Sequence, residues 1–325
     1  MQDIQRTSGA VAKTTKQDDS TIIRSGVHHL PADFWDHNDC GENNGKNFTV
    51  EGSIAQAVMV NEFLVSGQGM NHIPRTSRVV KIVDDVVTLE KVDDYLNRQS
   101  PKIYGIKPKN SEQNLALNLL MDREIDLVTI LGRAGSGKTL LALATALQQV
   151  EDGQYSEIIF TRANILMGRD SGFLPGNEVE KQMPLMGGML DNLRFLVGNR
   201  ITNSPSKKGV AATSGMSTYD ILGKILFVKD MSLMRGRSFM NTIVIFDEFQ
   251  NNSPKQAKAL ITRIGKGSKV VCLGNLSQID TPNLTAETSG LTHLANKFAS
   301  WPHAGHIILN ECTRSRLAGY AEDVL

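Results

Sequence analysis

The 325-residue chain has few cysteines and no apolar run long enough to span a membrane. Its cysteines, Cys40, Cys272 and Cys312, are odd in number and lack C-x-x-C spacing. That pattern argues against a disulfide framework or a zinc site and favours reduced thiols. The N-terminus also lacks the features of a signal peptide. We therefore expect a cytoplasmic protein without membrane contact.

The chain also has almost no net charge. With 35 basic and 34 acidic residues the formal net charge is +1, so no overall field draws the chain to nucleic acid. Such contact would need local patches, for example Lys207-Lys208 or Arg235 and Arg237. The lysine pair is better explained as solvated loop charge.

What the chain does contain is a phosphate-binding loop. Residues 127–131 are apolar and β-prone, and residues 140–150 have a helical pattern. Between them, G-x-x-x-x-G-K-[ST] is matched by Gly132, Arg133, Ala134, Gly135, Ser136, Gly137, Lys138 and Thr139. The glycines let backbone N–H groups turn toward phosphate oxygens, and the helix N-terminus adds a favourable dipole. The motif predicts ATP binding, with Lys138 at the β- and γ-phosphates and the Thr139 hydroxyl on Mg²⁺.

A second strand carries the acids that such a site needs. Residues 242–246 form a continuous apolar run that ends in Asp247-Glu248. A buried parallel strand of this kind delivers its last residues to the carboxyl edge of the sheet, where ligands bind. We expect Asp247 to hold Mg²⁺ and Glu248 to polarise the attacking water. Beside a phosphate loop we favour this reading over two solvated acids at a strand end.

The order of the other segments predicts the fold class. Further apolar runs and helical patterns follow at 157–161, 254–264, 269–274, 306–309 and 317–325. Strands that alternate with helices argue for an α/β fold with a parallel sheet and helices on both faces. Residues 163–241 contain a long insertion, in which 198–215, rich in Gly, Ser and Lys, is expected to be a mobile loop.

Several short segments beyond these two motifs resemble one protein family. They are 105–113, Thr161-Arg162, 172–176, 234–237, 247–251, 274–280 and 313–315. Through them, residues 106–325 look like the PhoH-like ATPases, which share a RecA-like P-loop NTPase core with superfamily 1 helicases. The chain departs from the family pattern at three places. Phe249 replaces the usual alanine, Asn275 stands where helicases generally have Asp, and Cys312-Thr313 replaces Gly-Glu, which leaves Arg314 without the adjacent acid.

The resemblance implies roles that the residues alone leave open. Gln113 would recognise adenine, although an exposed amide at a helix start is expected in any case. Gln278 would report the γ-phosphate or orient water, where the pattern alone indicates a polar loop residue. Arg263 and Arg314 would neutralise charge on the transferred phosphoryl group. Each arginine is equally compatible with a surface ion pair.

The first hundred residues differ in character from the core. We expect 1–47 to be a polar, partly disordered segment, in which 30–36 resembles a stretch that follows a PIN nuclease in the family's long branch. Residues 48–100 contain three apolar runs and a turn at Asp84-Asp85, which predicts a small β-rich module. Residues 101–325 would be the ATPase domain. A PIN nuclease is larger than the segment before the module, so we expect at most a remnant of one and no metal-dependent RNA cleavage.

Together these features predict a Mg²⁺-dependent ATPase, coupled to unwinding of, or movement along, single-stranded RNA or DNA. One RecA-like core is visible, and the resemblance points to a homo-oligomer, a hexameric ring in which a neighbour closes each site. The alternative is an ATP-driven switch or assembly protein whose partner is another protein. A small-molecule kinase is a third option, against which Glu248 and Gln278 argue.

Overall fold

The residues that the structure describes form two six-stranded sheets, one small and mixed, the other fully parallel. The computed structural model describes residues 23–31, 33–36, 40–43, 47–66, 76–97, 99–163, 186–203, 217–229, 231, 238–311, 317 and 320. Within these ranges no helix is both long and apolar enough to cross a membrane.

The small sheet forms the N-terminal module. Its elements are β1 (Val27–His29), β2 (Cys40–Asn43), β3 (Asn47–Glu51), α1 (Ile54–Ala57), β4 (Phe63–Val65), β5 (Thr76–Val83) and β6 (Val86–Lys91). The strand order is β1-β4-β5-β6-β3-β2, and only β1 pairs in parallel with its neighbour. The β5–β6 hairpin turns at Asp84, whose φ is 51°, as the Asp84-Asp85 pair predicts.

The predicted β-rich module is therefore confirmed, but it also uses residues that precede position 48. Strands β1 and β2 lie within the stretch that we expected to be polar and partly disordered. Neither carries a clear signal, because β1 has only three residues and β2 reads Cys-Gly-Glu-Asn, without apolar alternation. Residues 1–22 lie outside the described part of the chain.

The parallel sheet is the core of the fold. Its strands are β7 (Leu127–Gly132), β8 (Glu157–Arg162), β9 (Leu226–Val228), β10 (Thr242–Asp247), β11 (Lys269–Gly274) and β12 (Ala304–Leu309). They are ordered β12-β7-β11-β10-β8-β9. Five of the six are the predicted strands. The sixth, β9, lies in the predicted insertion and is only three residues long.

Helices cover both faces of this sheet. They are α2 (Ser111–Met121), α3 (Lys138–Glu151), α4 (Gly187–Asn203), α5 (Thr218–Ile221), α6 (Pro254–Ile261) and α7 (Gly290–Phe298). Ile243 and Ile245 of β10 pack with α2, α3 and α4, whereas Val244 and Phe246 pack with α6 and α7. Both sides of the strand are thus buried, which explains its unbroken apolar run. The α/β fold class is confirmed.

Helix α4 corrects the expectation of a mobile loop at 198–215. Residues 198–203 are its last turns, and 204–215 lie outside the described residues. The helix buries one side at helical spacing, through Met189, Leu193 and Leu196. Arg200 then anchors it, because its guanidinium pairs with Glu151 of α3 and lies 4.6 Å from the ring centre of Tyr104. Composition alone missed this helix, since the Gly- and Ser-rich stretch begins inside it.

Helix α2 connects the module to the core. Asn114 accepts a hydrogen bond from Tyr95 N at 2.8 Å and donates to Asp93 O at 3.1 Å. One turn later, Asn118 accepts from Asp93 N at 2.8 Å. These amides attach the segment after β6 to the helix.

The C-terminal end of α2 is also held from two sides. Arg78 of β5 pairs with Asp122 at 2.6 Å. Lys269, at the start of β11, donates to Leu120 O at 2.7 Å and to Asp122 O at 2.5 Å. Burial lowers the pKa of this lysine to about 7. The last carbonyls of α2, which lack partners within the helix, are thereby satisfied by the core sheet.

Candidate nucleotide site

A cleft of about 370 Å³ opens at the carboxyl edge of the parallel sheet. The predicted site residues that line it are Ala134, Gly135, Lys138, Thr139, Asp247, Glu248 and Gln278. The phosphate loop at the end of β7 and the acids at the end of β10 therefore face one space, as the two motifs predict.

The phosphate loop has a conformation that its glycines permit. Gly137 precedes α3 with φ at 96°, a region that disfavours side chains. Lys138 Nζ donates to Gly132 O at 2.6 Å and to Arg133 O at 2.9 Å. These carbonyls hold the ammonium group over the loop, beside the N-terminus of α3. This arrangement fits a triphosphate, because the cation and the helix end both favour bound phosphate oxygens.

Gln113 lies behind this loop. It is 4% exposed, and its Nε2 donates to Ser136 O at 2.8 Å while its Oε1 accepts from Lys109 N at 2.8 Å. A Cβ on Gly137 would lie 2.9 Å from Nε2, so glycine leaves room for this contact. Gln113 is thus buried instead of exposed, and its amide braces the phosphate loop. Recognition of adenine by this residue stays a prediction from the resemblance.

Asp247 and Thr139, the predicted Mg²⁺ ligands, both line the cleft. Burial, followed by the charge of Glu248, raises the pKa of Asp247 to about 6, against the opposing charges of Arg162 and Lys138. A bound cation would offset this cost of burying a carboxylate. The described residues contain no cluster of three or more His, Cys, Asp or Glu side chains suited to a metal. One carboxylate and one hydroxyl suit Mg²⁺, which keeps several waters and uses substrate phosphates as ligands.

Glu248 has an unusual backbone conformation, and its carboxylate accepts hydrogen bonds from two other side chains. Its φ of 53° and ψ of 36° place it in the left-handed region, which is costly for a residue with a side chain. Arg162 Nη2 lies 3.1 Å from Oε1, and Gln250 Nε2 donates to Oε2 at 2.7 Å. The turn carries the chain away from β10, while both donors fix the carboxylate at the edge of the cleft.

Gln250 joins Glu248 to the segment after β11. Its Nε2 also donates to Gln278 O at 2.9 Å, and its Oε1 accepts from Asn275 N at 3.2 Å. The side chain is fully buried. At Gly274, which ends β11, a Cβ would lie 2.6 Å from Gln250 Oε1, so this contact requires glycine. Gln250 therefore connects the Gln278 backbone to the Glu248 carboxylate through one side chain.

Two departures from the family pattern have clear places in the structure. Phe249 is fully buried beneath the acids, with its ring centre 5.2 Å from that of Phe246. It fills the face of the sheet that α6 and α7 cover. Asn275 lines the cleft, and its Nδ2 is buried without a partner among the described residues. That amide group leaves a hydrogen-bond donor for a ligand or water.

The two arginines predicted to neutralise phosphoryl charge are Arg263 and Arg314, and the structure describes only the first. Arg263 is not among the residues that line the cleft. It follows α6, where its carbonyl accepts from Phe239 N at 3.3 Å, beside the start of β10 and hence at the opposite edge of the sheet. Its role in neutralising phosphoryl charge stays a prediction from the resemblance. Arg314 lies outside the described residues, as do 172–176, 207–208 and 235–237.

A family model for the PhoH-like protein matches residues 105–324. The chain belongs to the PhoH family. Protein PhoH2 of Bacillus subtilis is 40% identical over 224 residues, which cover 69% of this chain and 48% of that protein. Protein PhoH2 of Mycolicibacterium smegmatis is 28% identical over 71% of this chain and 49% of its own length.

Other similarities are shorter or weaker. A PhoH-like protein of Bacillus subtilis is 36% identical over 48% of this chain and 44% of its own length. The PRRSV helicase structure is 12% identical over 72% of this chain and 40% of that chain, with a TM-score of 0.27, and no conclusion depends on it. The chain spans about half the length of the curated PhoH relatives it matches. Family and phosphate loop together give it the fold of the P-loop NTPases.

Sequence reasoning missed three contributors to the PhoH site. Arg162 and Gln250 lie within segments that resemble the family, but their sequence context predicts no role for either side chain. Helix α4 was missed entirely, although Met189 and Asn192 line the cleft opposite the loop. The available sequence signal for Arg162 is a cation directly after the predicted strand 157–161.

If Gln113 acts only by bracing the phosphate loop, Gln113→Ala should weaken the binding of ATP and of GTP equally, by about tenfold, because the Ser136 carbonyl and the Lys109 amide lose a buried partner. Titration calorimetry with both nucleotides measures this effect. Gln56→Ala, at an exposed position in α1, is the matched control. A selective loss of ATP binding, with GTP binding unchanged, would instead show that Gln113 reads adenine.

Proposed function

We propose that this PhoH-family protein hydrolyses ATP with Mg²⁺. The observation that carries the proposal is the position of Glu248, whose carboxylate is fixed in the same cleft as Lys138 and Asp247. A nucleotide-binding protein without hydrolytic function needs the loop and the metal-binding acid. It has no need for a second carboxylate held in a costly backbone conformation.

The chemistry would use these side chains as follows. The triphosphate binds across the loop, and Lys138 turns from the carbonyls of Gly132 and Arg133 to the β- and γ-phosphates. Glu248 accepts a proton from water as the water oxygen attacks the γ-phosphorus and ADP leaves. Mg²⁺ held by Thr139 and Asp247 would neutralise phosphate charge. Gln278, tied to Glu248 through Gln250, would respond to the γ-phosphate.

We further propose that hydrolysis is coupled to single-stranded RNA or DNA within a hexameric ring. Support comes from the family resemblance and from the single parallel sheet among the described residues, which leaves the cleft open on one side. A neighbouring subunit would exclude water and so strengthen the electrostatic contacts. Arg314, or Arg263 from the opposite edge of the next subunit, would then supply the missing positive charge.

We expect single-stranded nucleic acid to raise the ATPase rate. The size of this increase should depend on salt concentration, because the contacts are mainly to phosphates. The measurement compares turnover with and without uridine or thymidine homopolymer across a salt series. The Lys138→Ala protein controls for contaminating ATPases. Unchanged turnover at every salt concentration would contradict nucleic-acid coupling and favour the alternative, an ATP-driven switch with a protein partner.

A further inference from the structure

The ion pair between Arg162 and Glu248 connects the proposed water-activating group to a cation on the neighbouring strand. Arg162 ends β8 and lies directly opposite Asp247 in the register with β10. Its Nη2 reaches Glu248 Oε1 at 3.1 Å, and the two side chains are 37% and 28% exposed. The pair is therefore accessible at the mouth of the cleft and not sealed in the core.

The strand order places Arg162 on the far side of Glu248 from the phosphate loop. From β7, which carries the loop, the sheet continues through β11 and β10 to β8. At about 4.8 Å between neighbouring strands, β8 is roughly 14 Å from β7. Lys138 and Arg162 thus approach the acids from opposite sides. The guanidinium draws Oε1 toward β8, away from the place of the γ-phosphate.

Gln250 also helps to fix the position of the Glu248 carboxylate. The Gln250 amide donates to Oε2, so both carboxylate oxygens of Glu248 accept a hydrogen bond. One donor is the buried Gln250 amide and the other is the more exposed Arg162 guanidinium. Of these two donors, only Arg162 is accessible to a ligand. If Arg162 turned away, the carboxylate would keep its Gln250 contact and gain freedom to rotate toward an attacking water.

We propose that Arg162 is a positioning residue that restrains Glu248 until its guanidinium takes a phosphate of a nucleic-acid backbone instead. This inference rests on the proposed ATPase and names its regulation. A guanidinium binds a phosphate through two parallel N–H bonds, whereas Glu248 offers it one oxygen in this structure. Ion pairs of such exposure are weak, so a phosphate brought close by other contacts can replace the carboxylate.

The test compares Arg162→Gln, Arg162→Lys and the parent, with Arg123→Gln, an exposed arginine at the opposite edge of the sheet, as control. Without nucleic acid, Arg162→Gln should raise kcat for ATP about twofold to fivefold, the range that loss of a weak ion pair allows, and leave KM unchanged. Added uridine homopolymer should then give little further increase. Arg162→Lys, which keeps the charge, should retain part of the restraint and part of the stimulation.

The double variant Arg162→Gln with Glu248→Gln should show no gain, because the gain requires the carboxylate. Equal loss of kcat in Arg162→Gln with and without homopolymer would overturn the inference, since it would mean that Arg162 stabilises the phosphoryl group. Unchanged basal rate with normal stimulation would overturn it as well. A parent protein without ATP turnover would instead refute the proposed function itself.

Discussion

The Lys138→Ala protein is expected to have no measurable ATP hydrolysis. The phosphate loop holds the Lys138 ammonium group over two of its own carbonyls, Gly132 O and Arg133 O, from which it is proposed to turn to the β- and γ-phosphates. Removing a preorganised charge of this kind costs roughly a hundredfold to a thousandfold in rate for a single donor, and loss of the cation should also weaken nucleotide binding. Phosphate release measures the effect. Lys102→Ala, exposed near the start of the core, is the control.

The same variant tests the ring. A Lys138→Ala subunit keeps its Arg314, and an Arg314→Ala subunit keeps its Lys138. If Arg314 acts on the neighbour's nucleotide, mixing the two inactive proteins creates some interfaces with both groups intact, and part of the activity should return. Mass measurement in solution with an ATP analogue should show an oligomer, expected to be a hexamer. A fully active monomer during turnover would refute this assembly.

The second large effect is expected from Glu248→Gln, which should bind ATP like the parent and hydrolyse it at least about a hundredfold more slowly. Glutamine preserves the shape and size of the side chain, so the left-handed turn and the packing below it should persist. It cannot accept a proton from water. Nucleotide titration and single-turnover hydrolysis separate the two effects.

Glu51→Gln, an exposed carboxylate on β3, is the matched control for this change. Turnover of Glu248→Gln at the parent rate would show that another group activates the water. Equal loss of binding and hydrolysis would show that Glu248 maintains the loop structure instead. The expected result is a stable complex of protein, Mg²⁺ and unhydrolysed ATP.

The core sheet could be predicted from sequence because its central strands are buried on both faces. Every residue of β7 and β11 is buried, so each strand appears as a mainly apolar run, with Thr129 inside β7 and Lys269 at the start of β11 as the polar residues. β9 and β1, of three residues each, are too short for such a pattern. Helix α4 was hidden because its end shares the glycine and serine content of the following stretch.

The candidate site could be predicted only where its residues lie close together in the sequence. The phosphate loop fixes Lys138 and Thr139 within eight consecutive residues, and the strand end fixes Asp247 and Glu248. The position of Gln113 depends on a carbonyl in another element and on the missing side chain of Gly137, which no local pattern records. The contact between Arg162 and Glu248 likewise requires that β8 and β10 be neighbours, and strand order is a property of the whole sheet.

The two asparagines of α2 bear on where the P-loop core begins. The family match starts at residue 105, yet Asn114 and Asn118 bond to Asp93 and Tyr95, upstream of that point. Without this upstream segment, the largely buried Asn114 amide would lose its partners, at a cost of about 1–3 kcal/mol. The same helix carries Gln113 at its other end. The family match therefore begins at residue 105, whereas the hydrogen bonds that hold helix α2 extend upstream to residues 93 and 95.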